Sequence, residues 1–333
     1  MAATMSDVAQ AAGVSLSTVS NVLNHPEIVK QATRVRVEQA MTELNFRPNR
    51  QARMLAGGKD RGIGLVIHDA ANPFFAEIVD SVDDVATAAG YGILLASSRT
   101  STQRQNAALQ LFAEHQVSGI LLSPTAAGPV GLDELRARSI PVVLLDSPGQ
   151  AGECSVSGND VLGGRLAGAH LIDVGCRRIG FVGGPRRVHQ HADRLHGLKN
   201  AMRAARLPLR DHLVTFDAPE DTLECGIAAA ALIAEQIDRL DGVFCGNDLL
   251  AIGLIRQLQL LGIEVPRDLA VVGSDDIALT QLVSVPVTTV HQPMREMGRA
   301  AADLLLSEIR GGRHRHQQLT FDPSLIVRES SAR

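Results

Sequence analysis

Short apolar runs recur along most of this chain, and segments with helical periodicity separate them. The runs at 63–67, 119–122 and 242–245 are apolar without alternation, which is typical of parallel strands covered by helices on both faces. Further strands are expected at 92–96, 142–146, 179–182, 213–216 and 269–272, and helices at 76–89, 102–115, 163–171, 194–205 and 249–261. This alternation predicts an α/β fold whose body contains two doubly wound sub-domains.

Length and composition exclude several classes of protein. The chain has 333 residues, of which 45% are hydrophobic and 20% charged, so it is globular and long enough for about two or three domains. No apolar run reaches the roughly 18–20 residues of a membrane span, and the first residues lack the pattern of a signal peptide. The four cysteines stand far apart without a C-x-x-C pair. We therefore expect reduced thiols, no metal site and a cytoplasmic protein.

Charge is distributed unevenly along the chain. The net charge is −4, which taken alone argues against binding to nucleic acid. Residues 1–61 nevertheless carry eight Lys/Arg and five Asp/Glu, a net charge of +3, and the remainder carries −7. A basic head on an acidic body suits a head that approaches phosphate groups.

Residues 1–48 have the pattern of a helix-turn-helix. Ser6 is predicted to cap a first helix, Gly13 to end it in a left-handed turn, and Ser15 to cap a second helix running to about Asn24. A third helix follows at about 31–44. In this motif the N-terminal residues of the second helix meet base edges in the major groove, although a plain three-helix bundle fits the same pattern.

A run of motifs makes DNA binding the favoured interpretation of the head. These motifs are Asp7-Val8-Ala9, Ala12-Gly13-Val14-Ser15, Thr18-Val19-Ser20, Val22-Leu23-Asn24, Thr33-Arg34-Val35-Arg36-Val37, Pro48-Asn49 and Ala52-Arg53. With them the head resembles that of the lac repressor family. The resemblance implies DNA contacts from Leu16, Ser17, Thr18, Asn21, Asn24 and Thr33. Asn21 departs from the arginine of most members, a common guanine reader, so the operator sequence stays open.

The segment 49–61 is expected to act as a hinge between head and body. A helix from about residue 50 to 56 is too short to be stable alone in water, so it should fold on binding. In the similar proteins two such helices pair in the minor groove and wedge a leucine between base steps. The resemblance assigns Leu55 to the wedge and Ala52 to the contact with the partner helix. Asn49 is predicted to cap the helix. A flexible linker is the alternative.

Motifs in residues 62–333 extend the resemblance over nearly the whole chain. They include Asn72-Pro73-Phe74-Phe75, Phe244-Cys245-Gly246-Asn247-Asp248, Asp275-Asp276 and Thr288-Thr289-Val290. This body is similar to periplasmic sugar-binding proteins, in which two sub-domains close on a ligand. The expected sub-domains are 62–158 with 291–320, and 159–290 with 321–333, and the chain is expected to cross between them near Gly158, His291 and Thr320.

The effector site is expected at the carboxyl ends of the strands, where ligands bind in doubly wound folds. Asp146, Asn247 and Asp275 follow predicted strands there, and carboxylates and amides suit sugar hydroxyls, which need partners when buried. The resemblance adds residues that hold or stack on the effector or lie at further pocket positions: Arg194, Phe75, His68, Arg99 and Ser123. We expect a sugar as effector, with a purine or nucleoside as the alternative because Phe75 could stack on a base. No cofactor is expected.

Two other classes of protein fit the sequence less well. An enzyme is not expected, because the chain has no G-x-G-x-x-G after its first strand and no P-loop, G-x-S-x-G or H-E-x-x-H motif. A transport receptor would need a signal peptide and would have no use for a helical head. The sequence therefore predicts a homodimeric repressor that binds palindromic double-stranded operator DNA, under allosteric control by a small molecule.

Overall fold

A computed structural model of the chain shows two units, residues 1–61 and 62–333. The structure describes residues 3–24, 26–46, 61–125, 132–184, 188–311 and 314–332. Three predicted hinge residues, Asn49, Ala52 and Leu55, lie outside the described residues, so their roles stay predictions.

The head folds as the predicted helix-turn-helix. Its helices are α1 (Met5–Ala12), α2 (Leu16–Asn24) and α3 (Gln31–Glu43), with a 3-10 turn at Pro26–Ile28. Each helix supplies one fully buried valine to a common core: Val8, Val19 and Val37. Gly13 ends α1 with φ of 62°, a left-handed conformation that glycine adopts without a steric penalty.

The first helix starts at a different cap from the predicted one. Thr4 rather than Ser6 caps α1, because its Oγ1 accepts the N–H of Asp7 over 3.3 Å while the Asp7 carboxylate accepts the N–H of Thr4 over 2.8 Å. This reciprocal pair satisfies two N–H groups together. Ser15 caps α2 as predicted, its Oγ accepting the N–H of Thr18 over 3.2 Å.

The described strands of the body form two sheets. In chain order the strands are β1 (Gly62–Ile67), β2 (Gly92–Ser97), β3 (Gly119–Leu122), β4 (Val142–Leu145), β5 (Cys154–Gly158), β6 (Ile179–Gly183), β7 (Leu213–Asp217), β8 (Gly242–Cys245), β9 (Ala270–Asp275), β10 (Thr288–His291), β11 (Gln318–Phe321) and β12 (Ser324–Ile326). The first sheet has the order β11-β5-β4-β3-β1-β2 and is wholly parallel. The second has the order β12-β10-β9-β8-β6-β7, and only its edge strand β12 is antiparallel.

Helices cover both sheets, and strands β1 and β9 are buried along their full length. The helices of the body are α4 (Pro73–Ala88), α5 (Thr102–Glu114), α6 (Leu132–Ala137), α7 (Asp160–Asp173), α8 (His189–Ala204), α9 (Leu209–His212), α10 (Leu223–Ala234), α11 (Asp248–Leu260) and α12 (Met294–Arg310). Among the helices that the structure describes, none combines the length and the apolar character needed to span a bilayer. The α/β architecture predicted from the apolar runs is confirmed.

Four strands, β5, β10, β11 and β12, were not predicted from the apolar pattern. Strands β5 and β10 carry serine and threonine at buried positions. Their hydroxyls find partners outside the sheet: Ser155 Oγ accepts the N–H of Gly149 over 3.0 Å, and Thr288 Oγ1 donates to the carbonyl of Arg328 over 2.9 Å. Such partners make polar residues tolerable in a buried strand.

The described chain crosses between the two sheets at three points. Asn159 connects β5 to α7, residues 292–293 connect β10 to α12, and residues 322–323 connect β11 to β12. Nδ2 of Asn159 donates to Oδ1 of Asp322 over 2.8 Å, so the first and third crossings touch. From the sequence, crossings are expected near Gly158, His291 and Thr320.

Candidate functional site

The accessible side of α2 is the candidate DNA-reading surface. Leu16 is 54% exposed, Ser17 is exposed, and Thr18 and Asn21 are partly exposed. Ser15 Oγ lies 2.8 Å from the hydroxyls of both Ser17 and Thr18, which holds these two side chains in place. A large apolar side chain that stays exposed at a helix start, beside short polar ones, is available for contact with base edges.

The two remaining predicted DNA contacts in the head are Thr33 and Asn24. Thr33 is partly exposed near the start of α3. Asn24 ends α2, and its side chain lies outside what the structure describes.

In the body, an inner chamber of about 40 Å³ lies at the carboxyl ends of strands from both sheets. Asp146 follows β4 of the first sheet, and Asp275 ends β9 of the second. Nε2 of Gln190, on α8, donates to Oδ2 of Asp146 over 2.7 Å and to its backbone carbonyl over 2.8 Å. This side chain therefore links the two sub-domains across the chamber.

The backbone is unfavourable at both chamber carboxylates. Asp146 has φ of 52° and Asp275 has φ of 118°, in the left-handed half of the map that non-glycine residues rarely occupy. Strain of this kind often occurs at ligand sites, where the surrounding structure holds it in place.

Arg194 is the charged centre of the inner chamber. Its Nε donates to Oδ1 of Asp160 over 2.8 Å, its Nη1 lies 3.3 Å from Oδ1 of Asp275, and Nη1 also donates to the carbonyl of Gly246. Arg194 and Asp160 expose only 6% and 5% of their side chains. The guanidinium is therefore fixed in one position before any ligand arrives.

A glycine in α7 allows the helix that carries Arg194 to come close. A Cβ on Gly164 would lie 1.9 Å from the backbone oxygen of Arg194, so only glycine fits at this helix crossing. The close approach lets Asp160, at the start of α7, reach Arg194 in α8.

An outer chamber of about 260 Å³ shares His68, Asn72, Phe75 and Asp221 with the inner one. The ring of Phe75 meets His68 edge-on at a centroid distance of 5.5 Å. Nε2 of His68 donates to the carbonyl of Pro124 over 2.9 Å, which fixes the imidazole. The chamber thus combines an aromatic wall with polar groups, as small-molecule sites commonly do.

Burial sets the protonation of the chamber carboxyls. Burial, assisted by the charge of Asp160, raises the pKa of Asp146 to about 8. Burial also raises the pKa of Asp275 well above its ordinary value, although Arg194 opposes this. Burial works against the charged form of Arg194, but the carboxylates of Asp160 and Asp275 outweigh it and raise the arginine pKa. Asp146 is therefore largely neutral at pH 7 and can donate a hydrogen bond to a ligand.

A close contact between an imidazole and a carboxyl group lies where the chambers meet. Nε2 of His191 lies 2.8 Å from Oδ1 of Asp221. Burial would raise the pKa of Asp221, but the neighbouring His191 outweighs it and lowers that pKa. Asp221 therefore stays an acceptor for ligand hydroxyls.

The structure brings most of the predicted effector residues to the chambers. His68, Phe75, Asp146, Arg194, Asn247 and Asp275 line the inner chamber, and Arg99 lines the outer one with its side chain exposed. Asn247 also caps α11, because its Oδ1 accepts the N–H of Leu250 over 2.8 Å and its Nδ2 donates to the carbonyl of Asp221 over 3.1 Å. Ser123 is fully buried after β3 and is not among the lining residues of either chamber.

Comparison with known proteins covers both units. The model of the lacI family of bacterial regulatory proteins matches residues 4–49, and that of the periplasmic binding protein-like domain matches residues 169–331. The HTH-type transcriptional repressor PurR of Vibrio vulnificus (strain CMCP6) is 35% identical over 98% of each chain. The ribose operon repressor of Escherichia coli (strain K12) is 36% identical, covering 99% of this chain and 100% of that relative.

The chain belongs to the lacI family of bacterial regulatory proteins. The crystal structure of the lac repressor dimer bound to operator and the anti-inducer ONPF matches it with a TM-score of 0.87 at 27% identity, over 99% of both chains. This lacI-family protein is a DNA-binding transcriptional repressor under ligand control, as the motifs of its sequence predicted.

Sequence reasoning missed several residues that line or support the site of this lacI-family repressor. Gln190 and Arg194 are one helical turn apart on α8, so the i, i+4 spacing could have revealed Gln190 once Arg194 was chosen. Asp221 neither follows a predicted strand directly nor belongs to one of the quoted motifs, so no pattern in the sequence indicated it. Asp160 could not have been found, because its partner is 34 residues away and meets it only through the crossing at Gly164.

Proposed function

We propose that the protein acts as a cytoplasmic homodimer whose operator affinity is set by a small neutral sugar bound in the two chambers of its body. The observation that carries the sugar is the set of four polar side chains that converge on the inner chamber from both sub-domains: Asp146, Gln190, Arg194 and Asp275. Sugar hydroxyls both donate and accept, so they need such a mixture of partners when buried.

Charge favours a neutral ligand over an anionic one. Among the described lining residues of the inner chamber, the guanidinium of Arg194 is already paired with Asp160. The outer chamber adds one exposed arginine, Arg99, against the carboxyl groups of Asp69, Glu220 and Asp221. A phosphate group would meet this acidic lining at a cost, because like charges repel at short range.

Ligand binding can change operator affinity because the chambers lie between the sub-domains. Gln190 and Asp146 already join them by two hydrogen bonds, and a ligand that fits one angle between the sub-domains favours that angle. In the dimer this angle sets the spacing of the two heads on a palindromic operator, through segments 49–61. The coupling is reciprocal, so operator DNA must change sugar affinity by the same factor.

A purine or nucleoside is the second candidate for the effector. The aromatic wall of Phe75 and His68 in the outer chamber can stack on a base, which supports this class.

The deciding experiment is a binding panel on the purified full chain, by thermal shift and calorimetry. The panel holds D-ribose, other pentoses and hexoses, their phosphates, purines and nucleosides. We expect a free sugar to raise the melting temperature by several degrees at 100 times its dissociation constant, and to change the affinity for an operator selected from genomic fragments. A hit confined to sugar phosphates or to purines would reject the neutral sugar.

A matched pair of variants connects such a hit to the chamber. Gln190→Ala should lower the affinity for the sugar at least ten-fold, because the ligand and Asp146 both lose a hydrogen-bond partner. Gln110→Ala, on the exposed side of α5 with its amide bonded to Glu114, should bind as tightly as the wild type. Equal affinity of both variants would place the ligand elsewhere.

A further inference from the structure

Three segments of the first sub-domain bring together four side chains with metal-ligating atoms. Cys154 begins β5, Glu308 lies in the last turn of α12, and His314 and His316 precede β11. One ligand atom from each lies within 4.8 Å of all the others. The cluster lies at the amino ends of parallel strands, whereas the effector chambers lie at the carboxyl ends, so the two sites occupy opposite edges of the sheet.

Four of the six distances between ligand atoms in this cluster are close to those of a tetrahedral metal site. Sγ of Cys154 lies 3.1 Å from Nε2 of His314 and 3.7 Å from Nδ1 of His316. Oε1 of Glu308 lies 3.3 Å from Nε2 of His314 and 3.6 Å from Nδ1 of His316. Tetrahedral zinc with ordinary bond lengths separates its ligand atoms by about 3.3–3.6 Å. A single ion can therefore reach all four with small adjustments.

Neighbouring groups orient the ligands toward the centre. Nδ1 of His314 lies 3.1 Å from Oγ of Ser307, so a proton on Nδ1 can be donated there and the lone pair of Nε2 faces the cluster. The N–H of Gln317 points at Sγ of Cys154 over 3.4 Å, as suits a thiolate. Outer partners of this kind fix the tautomer and direction of metal ligands.

The carboxylate supplies an independent indication of a missing partner. Oε1 of Glu308 is buried and has no hydrogen-bond partner among the described residues, although two imidazole nitrogens face it. A buried anionic oxygen without a donor is costly, and a cation at the centre of the cluster removes that cost.

We propose that Cys154, Glu308, His314 and His316 bind one Zn²⁺ ion per chain. Thiolate, imidazole and carboxylate are all zinc ligands, and four protein ligands without an open position are typical of a structural zinc site. The mixture of soft and borderline donors disfavours Mg²⁺ and Ca²⁺, which prefer oxygen ligands alone. Binding releases the proton of the Cys154 thiol to solvent, because the thiolate is the ligand.

The ion would join elements that lead to the crossings between sub-domains. Strand β11 pairs with β5 from Gln318 opposite Ser155 to Phe321 opposite Gly158. Both strands start beside the cluster and end at the first and third crossings. Zinc would therefore fix the starting points of two adjacent strands and the end of α12 relative to one another.

The test uses the full chain without a polyhistidine tag, freed of metal by a chelator and titrated with Co²⁺ as a spectroscopic probe for Zn²⁺. We expect one equivalent of Co²⁺ to give a thiolate-to-cobalt charge-transfer band and the visible bands of tetrahedral cobalt. One equivalent of Zn²⁺ should displace it and raise the melting temperature by several degrees.

Variants locate the site. Cys154→Ser should abolish the charge-transfer band, and His316→Gln, at a side chain that is 48% exposed, should weaken metal binding by more than about 100-fold, since losing even an outer partner costs 10–100-fold. His115→Gln, at an exposed position outside the cluster, should bind as the wild type does. The proposal is overturned if the wild type shows no charge-transfer band, or if His316→Gln binds Co²⁺ with unchanged affinity.

Discussion

Asp160 and Arg194 form a buried ion pair, 2.8 Å from Oδ1 to Nε, that joins the start of α7 to the second turn of α8. Gln292, at the second crossing between sub-domains, donates to the same Oδ1 over 3.3 Å. The pair therefore links the proposed effector chamber to the second crossing between the sub-domains. A ligand that forms a hydrogen bond with Arg194 would act on that crossing through Asp160.

Replacing Arg194 tests structure as well as ligand binding. Arg194→Ala leaves the carboxyls of Asp160 and Asp275 buried without their cation, and breaking such a pair costs about 3–5 kcal/mol. Urea unfolding should show this loss. Arg203→Ala, an exposed arginine on the same helix, should change stability by less than about 0.5 kcal/mol. A fully stable Arg194→Ala would mean that the pair contributes nothing to folding.

The raised pKa of Asp146 predicts a pH-dependent stability. The carboxyl has a pKa of about 8 in the folded chain against an ordinary 3.8, so between these values the folded state holds the extra proton. Stability from this group is complete below about pH 4 and is lost as pH rises through about 8.

Asp146→Asn removes that dependence. Its melting temperature should gain on the wild type from pH 5.5 to about 8 and then stay level, because above that pH the wild-type carboxyl is ionised in the folded state as well. Burial raises the pKa of Asp248 to about 7. Because Asp248 titrates in both proteins, its effect cancels in the difference between their melting temperatures. If the melting temperatures of the two proteins changed with pH in the same way over this range, a raised pKa at Asp146 would be contradicted.

The helix crossing at Gly164 should tolerate no side chain. A Cβ there would meet the backbone oxygen of Arg194, so Gly164→Ala should destabilise the fold by about 1–3 kcal/mol and weaken effector binding, because Asp160 and Arg194 are displaced from one another. Gly92→Ala is the control, since a Cβ at Gly92 meets nothing within 4 Å. Equal unfolding midpoints for the two variants would show that the helices can shift without cost.

A change in α2 should separate specific from general DNA binding. Asn21→Ala should weaken the selected operator by about 1–3 kcal/mol, the usual value of a good base contact, and leave random DNA of equal length unaffected, because phosphate contacts dominate there. Anisotropy titrations at fixed salt measure both. Thr42→Ala, whose hydroxyl donates within α3 to Glu38, is the control. An equal loss of affinity for both DNAs would mean that Asn21 contacts the DNA phosphate backbone and not a base.

The fold was predictable where burial alone selects the residues. Strands such as β1 and β8 are apolar throughout because helices cover both faces, and their bounds differ from the prediction by one residue at most. Strands β5 and β10 were missed because their serines and threonines depend on partners such as Arg328, 40 residues from Thr288. No local pattern contains such a partner.

In the candidate site, too, residues marked by a local sequence pattern were predictable, whereas residues that depend on distant partners were not. Asp146, Asn247 and Asp275 could be predicted because each follows an apolar strand. Asp160 enters the chamber only through a helix crossing. The proposed zinc ligands come from three separate segments, and only one of the four is a cysteine, so the spacing of the cysteines with one another could not indicate a metal site.

The three crossings between the sheets consist of one residue, Asn159, and two pairs, 292–293 and 322–323. Connections this short limit how far the two halves of the body can move apart, whereas they allow the angle between the halves to change. In the function proposed above, a ligand in the chambers would therefore act through one geometric variable, this angle.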